Sequence, residues 1–247
     1  MDKILSNIRS DKYEYQPDHI HCWNNKNFVL GVVKINGDYI KFASDNLKNN
    51  REIVFYSYKN SSDELKNSRG FVLDCVKIIG SVLQDAPEIF RDDEEIVWSG
   101  LSNSGYTLKF ASDRLKDNKK FAMKALEKSS IFEFLSENLR NDKEIALFAV
   151  QKDGYFLMNA SKRLKNDQEV VLKALESNLY AYSFMSEELK KNIKFNSKLI
   201  KIQNGIWFFL DPISKKNRIL NLYKYKREEF EEFRRKPKNY DDILSYF

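Results

Sequence analysis

An all-α fold, an α-solenoid of about eight short repeats, is predicted by three observations. Residues 141–165 (NDKEIALFAVQKDGYFLMNASKRLK) and 166–190 (NDQEVVLKALESNLYAYSFMSEELK) align without a gap. They share an opening Asn-Asp, an acid before an apolar run, an alanine, a tyrosine, a serine and a closing Leu-Lys. A closing apolar residue also recurs along the chain, at Leu65, Ile89, Leu115, Leu139, Leu164 and Leu189, in steps of 24 to 26 residues. Finally, one column stays small or modest: Val32, Ser57, Cys75, Gly100, Ala125, Ala149 and Ala174. Small side chains let neighbouring helices approach closely, so this column is expected to face the next repeat. A single unit of this size cannot bury its apolar face alone, and stacking completes the core.

Each element follows in order. Residues 1–22 form an N-terminal capping segment, in which Ile4, Leu5 and Ile8 have helical spacing before Pro17. The array spans residues 23–211, with repeats at 23–48, 49–66, 67–90, 91–116, 117–140, 141–165, 166–190 and a degenerate 191–211. Repeat two lacks about seven residues before its SSDELK. Each repeat reads as a helix, a tight turn and a shorter helical piece. Asn or Asp opens the first helix as an N-cap, with an acid in the first turn to suit the helix dipole. Gly37, Gly80, Gly105, Gly154 and Gly205 share a column, where glycine is expected to end the helix in the left-handed conformation. Ser44, Ser112, Ser136, Ser161 and Ser186 are expected to cap a last helical turn, with Pro87 standing there in repeat three. Residues 212–247 leave the pattern as a basic C-terminal cap, with an amphipathic helix over 219–236 and an apolar end, YDDILSYF.

The repeat pattern, N-D-x-E-I/V, a small residue, the Gly turn, then A-S-x-x-L-K, resembles the bacterial and protist repeat family called domain of unknown function 4116. The resemblance covers about residues 23–211. It implies an all-helical repeat array and no catalytic residues.

Charge is unevenly placed. Residues 214–238 hold ten basic side chains against four acidic ones, which accounts for the whole net charge of +6. A nucleic-acid grip along the array is therefore disfavoured, while a local basic patch at Lys224, Lys226, Arg227, Arg234, Arg235 and Lys236 is allowed. Tyrosines and phenylalanines among these residues suit RNA, whose bases stack and whose phosphates pair with Arg. A capping helix with a solvated basic face accounts for the same residues.

No motif carries a reaction. There is no phosphate-cradling glycine loop, no Ser-His-Asp order and no HExxH, and no cofactor, metal or small-molecule substrate is expected. His19, His21 and Cys22 give three potential ligands where structural zinc takes four. Cys75 lies in the small column, where packing explains it. The acids at 92–95 sit at a helix start, where the dipole favours them. No apolar run approaches the roughly 18 residues of a membrane span, and the N-terminus has no apolar signal core. A cytoplasmic place is expected, in the producing bacterium or in a host cell.

Trp98 occupies a column otherwise filled by Leu30, Phe55, Leu73, Met123, Leu147 and Leu172. It reads either as an enlarged core residue or as a partly exposed aromatic anchor of the kind that dominates interfaces. The next column is the most variable (Gly31, Tyr56, Asp74, Ser99, Lys124, Phe148, Lys173) and is expected to meet solvent or a partner. The expected function is a non-catalytic protein–protein interaction module with Tyr56, Trp98 and Phe148 as contact residues. The alternative is an RNA-engaging protein, or a mobile-element inhibitor of a nucleic-acid-guided nuclease, acting through the basic C-terminal segment.

Overall fold

The long helices of the repeats begin at Lys26, Arg51, Arg69, Glu94, Lys119, Lys143 and Gln168. They were located in a computed structural model of the chain, which describes residues 2–10, 16, 19–192, 194–195 and 199. No strand occurs among the described residues, and the fold is the all-α repeat solenoid. The chain divides into two compact units, residues 1–136 and 137–247, with the division inside repeat five. The basic tail and the last repeat's Gly205 lie outside the described residues.

A full repeat has three pieces, and the middle one is a 3-10 turn. In repeat one a helix, Lys26–Ile35, leads to a 3-10 turn, Gly37–Phe42, and then to a one-turn helix, Asp45–Lys48. Repeat six has the same order in Lys143–Lys152, Gly154–Asn159 and Lys162–Lys165. The N-caps form as their residue types require. Asn25, Asn50, Asp93, Asn118, Asp142 and Asp167 each accept a backbone N–H of the first turn. Ser112, Ser161 and Ser186 likewise accept from the leucine N–H three residues on, whereas Ser44 makes no such bond.

Each long helix except Arg69–Ile78 buries two adjacent pairs one turn apart, such as Ile145, Ala146, Ala149 and Val150, which form one stripe against the neighbours. In the first unit the helices Lys26–Ile35, Arg51–Lys59, Arg69–Ile78 and Glu94–Leu101 pack in succession. The N-terminal helix, Asp2–Arg9, buries Ile4 and Ile8 and packs on the first of them. In the second unit Lys143–Lys152 packs on Gln168–Ser177, and their 3-10 turns pack on each other.

The small column is buried in every described repeat, but it faces the preceding repeat, not the next. At Ser57 and Ala174 its partner is the glycine of the preceding turn. A Cβ on Gly37 would stand 1.9 Å from the Ser57 carbonyl oxygen, and one on Gly154 would stand 2.0 Å from that of Ala174. These glycines are therefore selected by close approach to backbone, and none of the described ones adopts the left-handed conformation expected above. The turn is held by the residue before: Asn36, Ser104, Asp153 and Asn178 each accept the N–H two residues on. A second correction concerns repeat three, where the closing core residue is Phe90, and Ile89 is 71% exposed.

A backbone bond joins successive one-turn helices. The serine N–H that opens each one-turn helix donates to the end of the previous one: Ser44 to Trp23, Ser112 to Arg91, Ser136 to Lys116, Ser161 to Arg140 and Ser186 to Lys165. Distances run from 2.8 Å for Ser112 to 3.2 Å for Ser44. Repeat two breaks the series, because Ser62 N donates to Asp38 Oδ1 instead. Repeat three cannot join it, because Pro87 has no N–H to give.

Candidate functional site

The aromatic candidates sit on the rim of the long helices, beside the buried stripe. Trp98 is half-buried, in a column whose other described members are also half-buried, apart from the 45%-exposed Phe55. The column is therefore a rim and not a core position. The Lys124 ammonium lies 4.3 Å from the Trp98 ring centroid and that of Lys128 lies 5.3 Å away. Phe121 meets the indole edge-on at 6.1 Å. Cation–π contacts at such exposed places contribute about 0.5–1 kcal/mol each, which is enough to orient the ring. Beside Trp98 lies an open hollow of about 430 Å³ lined also by Glu94, Glu95, Asn118 and Lys124.

Tyr56 is half-buried under Lys34, at 4.4 Å, with Phe55 edge-on at 5.3 Å. Phe148 is half-buried in the second unit, with Lys152 6.0 Å from its ring. The variable column holds no buried residue, in keeping with its composition. Lys224, Lys226, Arg227, Arg234, Arg235 and Lys236 lie outside the described residues.

The 3-10 turns of both units present further exposed rings. Tyr106, Tyr155 and Tyr180 are exposed, the last at 64%. Tyr106 meets Phe110 and Phe134 edge-on, both at 5.4 Å, and its hydroxyl accepts from Lys109 Nζ at 2.8 Å. Tyr155 meets Phe184 edge-on at 5.0 Å. Reading for a helical period misses these residues, because a capped 3-10 turn and not a helix presents them. The signal was available as a tyrosine directly after the turn glycine, in Gly105-Tyr106 and Gly154-Tyr155.

The charged groups pair across repeats. Arg69 donates to Asp93 at 2.8 Å and to Glu95 at 2.6 Å, and Lys143 reaches Asp167 and Glu169, both at 2.8 Å. Burial pushes the Asp93 and Asp167 carboxyls up, but these cations and the first-turn amides hold both below the usual carboxylate range. Asp92 is held low by hydrogen bonds from Ser112 and Arg114. The acids at 92 and 93 thus serve a one-turn helix and an N-cap. His21 Nε2 lies 3.2 Å from Cys22 Sγ, and among the described residues no three His, Cys, Asp or Glu side chains gather as a metal site. Burial, then the charge of Asp74, push the Cys75 thiol up to about 12, so it is not a thiolate at neutral pH.

A family model for a domain of unknown function, DUF4116, matches residues 25–63, 93–140, 118–165, 142–190 and 167–214, together more than half of the chain. The chain belongs to the DUF4116 family. No curated protein and no solved structure matches it. The overlapping matches in this DUF4116 chain each span about two successive repeats, in step with the bonds that join neighbours, and they leave residues 64–92 between them. No helix among the described residues is long and apolar enough to cross a membrane.

Proposed function

We propose that this DUF4116 chain is a non-catalytic protein-binding module whose contact residues are the rim aromatics Trp98 and Tyr56, with Phe148 in the second unit. The observation that carries the reading is Trp98, a large ring left half-exposed and oriented by Phe121, Lys124 and Lys128. An oriented aromatic beside a hollow loses little freedom on binding and supports an interface anchor. The partner is a protein, and no small molecule or membrane is invoked.

The second reading is RNA engagement through the tail, which the charge of residues 214–238 favours. The two differ in salt dependence, since each phosphate neutralised releases counterions. The test is capture from the source cell with sequencing of both proteins and RNA, followed by measured affinity. Trp98→Ala or Tyr56→Ala should weaken the partner by about 2 kcal/mol or more, with a shallow salt dependence. A salt-steep RNA shift, removed by reversing Arg234, Arg235 and Lys236 to Glu with the helical spectrum intact, would instead establish the second reading.

A further inference from the structure

Successive long helices start 25 residues apart from Lys26 to Arg51 and from Arg69 to Glu94, but only 18 apart from Arg51 to Arg69. What is missing is the whole 3-10 turn of repeat two. The chain passes from Arg51–Lys59 through three residues into Asp63–Lys66. Repeat one holds this short connection: Gly37 N donates to the Asn60 carbonyl at 2.9 Å, Asn60 Nδ2 to the Val33 carbonyl at 3.1 Å, and Ser62 N to Asp38 Oδ1 at 2.9 Å. Tyr58 is the one large residue in a column of Val33, Val76, Leu101 and Leu126. It is buried and stacks on Phe71.

A cleft of about 620 Å³ remains, its walls formed by Ile40, Val54, Leu65, Phe71 and Ile78. Two columns of the repeat core are left open there and nowhere else in the first unit. The closing residue is buried at Leu47, Phe90 and Leu115, while Leu65 is half-exposed. The first core residue of the long helix is buried at Phe28, Ile53, Ile96 and Phe121, while Phe71 is half-exposed.

We propose that this cleft is a docking site for one apolar peptide segment of a protein partner, about six residues long, which takes the place of the absent turn. The neighbouring repeats define the occupant's chemistry. Their turns, Gly37–Phe42 and Gly80–Asp85, are six residues long and set two adjacent apolar side chains inward, Tyr39-Ile40 and Val82-Leu83. The volume lies within the roughly 300–1,000 Å³ of ligand sites. The rim carries Lys41 and Lys48 against Asp38, Glu64 and Asp74, so no positive field is present to hold a phosphate chain. This site shares no residue with the rim aromatics and stands or falls separately from them.

The probe is a fluorescein-labelled peptide of residues 105–112 (GYTLKFAS), titrated against the full chain by fluorescence anisotropy. Saturable binding is expected, weakened at least tenfold by Leu65→Asp and by the corresponding peptide carrying Leu108→Asp. A chain with seven residues inserted after Asn60 to restore the turn should lose binding by a similar factor. Trp98→Ala should leave it unchanged. Leu65 is half-exposed, so its variant is expected to fold, and circular dichroism checks it; if the insertion chain does not fold, Ile78→Asp replaces it. Failure of the intact chain to saturate, or binding unchanged in Leu65→Asp and in the insertion or Ile78→Asp chain, would overturn the proposal without touching the rim-aromatic reading.

Discussion

At the scale of single residues, the turn glycines separate two explanations that a sequence cannot distinguish. Glycine at the end of a helix reads equally as a left-handed cap or as a place where another backbone comes close. The distance of 1.9 Å from a Cβ on Gly37 to the Ser57 oxygen decides for the second. Gly37→Ala and Gly154→Ala should therefore cost roughly 1–3 kcal/mol by overpacking. Gly31 is the internal control: it lies inside Lys26–Ile35, and its Cβ would meet nothing within 4 Å. Gly31→Ala should stabilise the protein by about 0.5–1 kcal/mol, since glycine loses more backbone freedom in a helix. Urea melts of the three variants check the contrast, and equal effects would show that close approach is not what selects glycine.

At the scale of elements, the interface is a helix laid on the preceding 3-10 turn. Ala174 is fully buried under the turn of repeat six, while Lys173, its neighbour, is half-exposed and paired with Glu176 at 2.9 Å. Ala174→Leu should cost roughly 1–3 kcal/mol and Lys173→Leu little, as read from denaturant midpoints at unchanged slope. The long helices, their caps and the small column were all legible in the sequence, because each leaves a mark at a fixed place in every repeat. The direction in which the small column faces was not, because spacing says which residues share a face and not which neighbour covers it. The rim position of Trp98 was equally hidden: leucines fill its column whether the stripe is broad or narrow. The shortened repeat was visible as a gap of about seven residues. Its cleft was not, since that depends on whether the neighbours close over the gap, and Leu65 and Phe71 remain half-exposed.

At the scale of the whole molecule, carboxylate contacts recur along the array. Asp92, Asp93 and Asp167 all titrate below the ordinary carboxylate value in the folded chain. A carboxyl whose folded value lies below its unfolded one stabilises fully above the unfolded value and loses that contribution as pH falls through the folded one. Thermal midpoints should thus be flat from neutral pH down to about 5 and fall in more acid solution. In the triple variant Asp92→Asn, Asp93→Asn and Asp167→Asn, this acid fall should be smaller, with a lower plateau at neutral pH. An acid limb of unchanged depth would assign the loss to other groups.

The backbone bond between one-turn helices has a consequence for how the chain folds. Each such link closes a loop of one repeat only, so the entropy lost in forming it is small and is the same at every step. Contacts this local in sequence give a low contact order and fast refolding, in the range of helical bundles rather than sheets. Growth can then start at any neighbouring pair and spread along the chain. Repeats two and three lack the bond, one because Ser62 turns to Asp38 and the other because Pro87 has no donor. A growing structured segment is expected to slow there, and hydrogen exchange during refolding should then protect the amides around the cleft later than the others of the first unit.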